Sequence, residues 1–100
     1  MIQVNGTVRL ADTIDEATMA ALLTMVARSR AEDGCLDYTY ARDLSDPQVM
    51  VVYERWRDRA ALDAHFASEH MADFRAALGA SGALTARDIR LYETDEGQPL

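Results

Sequence analysis

The chain reads as an α+β domain, a four-stranded antiparallel sheet with helices on one face in the order β-α-β-β-α-β. Three observations predict this. Residues 2–10 and 35–43 alternate apolar and polar side chains with the period of a strand, and two further strand-like runs occupy 48–56 and 85–93. Helical periodicity fills 15–31 and, with one break, 58–78. A length of 100 residues with 49% hydrophobic and 27% charged side chains suits a single core and excludes disorder. We therefore expect one domain over residues 1–100, with a core at 2–93 and a tail at 94–100.

In the first strand, Ile2, Val4, Val8 and Leu10 face one way, and Gln3, Asn5, Thr7 and Arg9 the other. The first helix is predicted over 15–31, capped by Asp12 or Thr13, with Asp15 and Glu16 at its positive end. Met19, Leu22, Leu23 and Val26 fall on one helical face, and Arg30 falls toward the buried side. Glu32-Asp33-Gly34 ends the helix. The second strand places Leu36, Tyr38 and Tyr40 on one face, and Leu44-Ser45-Asp46-Pro47 is a turn. In the third strand, Met50, Val52, Glu54 and Trp56 share one face, and Val49, Val51, Tyr53 and Arg55 the other. Asp58 caps a short helix that runs through Phe66, and Ser68 caps another over 69–78. This is the ferredoxin-like order. Neither face of the third strand is purely polar, while helices cover only one side. A second copy of the chain packed on the other side, as a two-fold homodimer closing a barrel, meets that need.

Ten arginines and no lysines stand against 17 acidic residues, a net charge of −7. That argues against a nucleic-acid partner, which needs a basic face, and disfavours anionic lipid. No apolar run approaches a membrane span, and no basic leader precedes the first strand, so the cytoplasm is the expected compartment. One cysteine, Cys35, forms no internal disulfide; acidic neighbours argue against a reactive thiol there. No Gly-rich phosphate loop, nucleophile elbow or metal-ligand spacing occurs, so neither metal nor cofactor is expected.

Two histidines remain as candidates for chemistry. On one continuous helix His65 and His70 would lie about 140° apart. A break at Ala67-Ser68 could aim both at one cleft, as imidazoles on the rim of an apolar pocket suited to proton transfer. Alternatively each merely packs and bonds a neighbouring strand. Glu54 on an apolar row is either a polar anchor in a cavity or the partner of an arginine across the sheet or dimer interface. Trp56 could wall a flat ligand or fill the core. Asn5 could bond a ligand carbonyl or face solvent. Tyr38, Tyr40 and Tyr53 read as core or interface.

Glu54-Arg55-Trp56, Asp58-Arg59-Ala60-Ala61-Leu62, His65 and Ser68-Glu69-His70-Met71 followed by Phe74 resemble the signature of the antibiotic biosynthesis monooxygenase domain family. Glu32-Asp33-Gly34-Cys35-Leu36-Asp37-Tyr38 is similar to its E-x-G-C-x-x-Y strand entry, and the element order agrees over residues 2–93. The Ala64-His65…Ser68…His70-Met71 stretch resembles the quinol monooxygenase-like branch, which also resembles isomerases of phosphorylated signalling metabolites. The resemblance implies a dimeric α+β barrel with a small-molecule pocket between sheet and helices. It also implies oxygenation of an aromatic by O₂ without metal or flavin. The polyketide-oxygenating branch has asparagine and tyrosine where this chain has Val52 and Leu62, which argues against an anthrone-type substrate. Haem-degrading relatives carry an axial histidine near Arg75 and a tryptophan at the position of His65, which argues against haem degradation.

The leading expectation is a cofactor-independent monooxygenase of a small quinol or phenol. His65 is the base, Trp56 and Phe66 the aromatic wall, and His70, Asn5 and Glu54 the polar contacts to substrate. An isomerase of a small carbonyl compound, phosphorylated or not, with Arg30 and Arg75 as its anion site, and a non-catalytic binding dimer are the alternatives.

Overall fold

The computed structural model describes residues 1–100 and contains β1 (Ile2–Leu10), α1 (Glu16–Arg30), β2 (Cys35–Arg42), β3 (Val49–Trp56), α2 (Arg59–Phe66), α3 (Glu69–Ser81) and β4 (Leu84–Glu93). The strands form one antiparallel sheet in the order β2-β3-β1-β4. This is the expected ferredoxin-like topology, and the three helices lie on one face.

The alternating rows of β1 and β3 pack as their patterns require. Ile2, Val4, Val8 and Leu10 are buried beside Met50, Val52, Glu54 and Trp56. Gly6 lies mid-strand at φ +153°, and a Cβ there would sit 2.0 Å from the Asp88 carbonyl oxygen of β4. Only glycine allows the two backbones to pair so closely.

Three local expectations are corrected. Asp15, not Asp12 or Thr13, caps α1; its carboxylate accepts from the Thr18 amide at 2.7 Å. The buried face of α1 is Thr18, Leu22, Met25 and Ser29, while Leu23 is 62% exposed. A start one residue later and a polar pair on the inner face shift the stripe away from the apolar count. Leu36 is exposed because the β2–β3 register slips between Cys35 and Asp37, leaving it as the extra residue of a bulge.

The break between the last two helices falls where expected. Ala67 ends α2, and the Ser68 hydroxyl caps α3 through the Met71 amide. Gly79 does not stop α3, which continues to a left-handed Gly82 at φ +64°. The outer face of the sheet, with Val51 and Tyr53 at its middle, is uncovered in a single chain.

Candidate functional site

The ends of α1 and α2 and the start of α3 converge on one side chain. Glu32, just after α1, accepts from Nδ1 of His65 at 2.8 Å and from Nε2 of His70 at 2.5 Å, both on the same oxygen, Oε1. An oxygen that accepts twice requires a hydrogen on each of those ring nitrogens. This places a hydrogen on Nδ1 of His65 and on Nε2 of His70. With its hydrogen on Nδ1, the neutral His65 ring carries its lone pair on Nε2.

His65 is 1% exposed and lines a cavity of about 390 Å³ between the sheet and the helices. Of the 20 residues around this cavity, 14 are hydrophobic, among them Val4, Val8, Leu22, Met50, Met71 and Phe74. Burial pushes the His65 pKa below its ordinary value, against the opposing pull of Glu32. The ring is therefore neutral at neutral pH.

Glu54 projects into the same cavity from β3. Its partner is no arginine: the Trp56 indole N–H donates to Oε1 at 2.9 Å. The arginine expected across the sheet is absent because the neighbouring rows on this face are apolar. Burial pushes the carboxyl up to about 7, and the indole bond holds it back only partly.

The remaining expected site residues divide. Phe66 lines the cavity and is exposed at its mouth. Trp56 does not form a wall. It is fully buried behind His65, ring centroids 4.7 Å apart, and acts through the Glu54 bond. His70 does not reach the cavity. Its ring lies beyond Glu32 and borders a second hollow of about 250 Å³ between α1 and α3. Asn5 belongs to the row that pairs with Tyr53 and Arg90, on the sheet face opposite the cavity, because strand side chains alternate. Arg30 is spent on the Tyr38 carbonyl at 2.8 Å, whereas Arg75 does line the cavity. Cys35 is pushed up to about 11, chiefly by burial and then by Glu32 and Glu54, which leaves it a protonated thiol.

Sequence reasoning took Glu32 only as a helix end and the first letter of a motif. Its function depends on two residues more than 30 positions away, and no local pattern announces them. Glu32, His65 and His70 also bring one ligand atom each within 4.8 Å of one another, a donor set that suits a divalent transition ion. Here the two short contacts are hydrogen bonds that occupy those same nitrogens.

The model of the family described as antibiotic biosynthesis monooxygenase matches residues 1–77. The chain belongs to that family. An uncharacterised protein of Synechocystis, sll1783, is 32% identical over 99% of this chain and 67% of its own length. Rv0793 of Mycobacterium tuberculosis, named as a candidate monooxygenase, is 41% identical over 63% of this chain and 61% of its own length. The chain thus spans about two thirds of the length of these curated relatives. Among solved structures, a candidate antibiotic biosynthesis monooxygenase of Deinococcus radiodurans superposes with a TM-score of 0.87 at 27% identity. That match covers 100% of this chain and 98% of that one. The structure of Rv0793 gives 0.82 at 28% identity, over 98% of each chain. Family membership carries the ferredoxin-like fold and points to enzymatic action on a small molecule. No helix of the chain is long and apolar enough to cross a membrane.

Proposed function

We propose that this family member is a cofactor-independent monooxygenase that oxidises a small quinol or phenol with O₂. The observation that carries the reading is the tautomer lock: Glu32 holds the Nδ1 hydrogen of a His65 that lines an apolar cavity, which leaves Nε2 as the acceptor of the ring. His65 removes the proton of a substrate hydroxyl. The phenolate passes one electron to O₂, and the substrate radical and superoxide combine in a new C–O bond. For a hydroquinone, the O–O bond then breaks with loss of water, and the ring leaves as a hydroxylated quinone. One oxygen atom enters the product and one becomes water; the four electrons come from the substrate. Glu54, near its point of half-ionisation at neutral pH, holds the second oxygen function of the ring. The apolar walls keep water from the radical pair.

In this reading the protein acts as a cytoplasmic homodimer. The uncovered apolar strip of Val51 and Tyr53 on the outer sheet face supports that assembly. The isomerase alternative needs both histidines at the substrate, and only His65 borders the cavity. Oxygen uptake with a panel of hydroquinones, with no metal or flavin added, tests the proposal. Activity is expected, and His65→Ala should lower it at least about a hundredfold. Uptake unchanged in that variant would remove His65 as the base, and silence across the panel would remove the oxygenase reading.

A further inference from the structure

Arg87 stands where the alternation of β4 calls for an apolar residue. It pairs with Val8 on the helix-facing side, in the row of Ile89, and lines the cavity. Arg9, Arg55, Arg57, Arg59 and Arg90 each hold an aspartate, while Arg87, like Arg28, Arg30, Arg42 and Arg75, holds no carboxylate. Arg87 is exposed at the border of an apolar cavity, so its guanidinium donors are open to a ligand. Arg75, exposed on α3, lines the same cavity. Its Nη2 donates to the Phe66 carbonyl at 2.8 Å, which steadies the guanidinium and leaves its other donors without an acid partner. Gly79 follows Arg75 by one helical turn and also lines the cavity, and a Cβ there would meet nothing within 4 Å. Glycine inside a helix costs about 1 kcal/mol relative to alanine. Neither its backbone angle nor a neighbour requires it here. Its effect is to leave this part of the cavity lining open, one turn from Arg75.

We propose that the mouth of the cavity is an anion subsite, where Arg75 and Arg87 bind the carboxylate of a planar phenolic acid whose hydroxyl reaches His65 inside. The inference rests on the proposed function and narrows its substrate class to hydroxylated aromatic acids. The guanidinium fork matches a carboxylate with paired hydrogen bonds. A net charge of −7 offers anions no long-range attraction, so recognition comes from contact at the mouth.

The test compares 2,5-dihydroxyphenylacetate with its methyl ester, which keeps the ring and both hydroxyls and removes the charge. Binding to the whole chain is measured by calorimetry under nitrogen, so no turnover is needed. The acid should bind about tenfold tighter than the ester. In the Arg75→Gln/Arg87→Gln double variant that ratio should fall to near one with the affinity for the ester unchanged. Both positions are exposed, and a thermal melt checks that the fold persists. Gly79→Leu should weaken binding of both compounds. An ester that binds as tightly as the acid, or a ratio that survives in the double variant, overturns the subsite and leaves the oxygenase reading standing. If neither compound binds the unaltered chain, the subsite also falls, and oxygen uptake across the uncharged hydroquinones decides the oxygenase reading separately.

Discussion

Replacing Glu54 by glutamine should make the protein more stable at pH 8 and leave its stability nearly unchanged at pH 4.5. The carboxyl is 6% exposed, and burial pushes it up to about 7 from an ordinary 4.5. Between those values the folded chain holds a proton that the unfolded chain has released. Stability therefore falls as pH rises through the window and levels off above it. Ionising this group in place costs about 2 to 3 kcal/mol, the free energy equivalent of that pKa difference with some allowance for water in the cavity. Glutamine has the same shape, its oxygen still accepts from the Trp56 indole, and it does not titrate. Urea denaturation of both proteins at the two pH values gives the difference directly, because every other titrating group is common to both. The variant should gain about 2 to 3 kcal/mol on the wild type at pH 8 and almost nothing at pH 4.5. A variant that gains no more at pH 8 than at pH 4.5 would refute the claim that this carboxyl is ionised at a cost in an apolar chamber. The same substitution should lower oxygen uptake, as expected where a destabilising group is kept for binding.

Glu32→Ala should cost about 1 to 3 kcal/mol in urea denaturation, because it strands the Nδ1 hydrogen of a histidine that is 1% exposed. It should also cut oxygen uptake nearly as far as His65→Ala, since the His65 tautomer is no longer held. Gly6→Ala should destabilise by more than about 2 kcal/mol, or fail to accumulate as folded protein, because its Cβ would collide with the Asp88 carbonyl oxygen. A soluble, normally melting Gly6→Ala protein would show that β1 and β4 are not so closely paired. Tyr53→Arg with Val51→Glu on the outer face of the sheet should halve the particle mass in sedimentation with the far-ultraviolet circular dichroism unchanged. An unchanged mass would place the copy-to-copy contact elsewhere.

The sequence by itself determined the sheet, its element order and the side of β1 and β3 that is buried. These follow from a period-two pattern in which each residue's face depends only on its neighbours in the chain. It also located the α2–α3 break, through a serine able to cap a new helix. Its errors on α1 and at Leu36 arose where one residue of offset, a late cap or a bulge, rotates or flips everything beyond it. The site was legible as residue types and not as an arrangement. His65, Glu54 and Phe66 do border one cavity, but Asn5 and His70 do not, and Glu32 was missed as the group that joins the two histidines. Only the tertiary structure decided these points, because which nitrogen carries the hydrogen, and whether a carboxyl is ionised, depend on atoms brought within 3 Å from elements more than 30 residues apart. Hydrophobic periodicity records which residues leave water, and says nothing of which polar groups then meet.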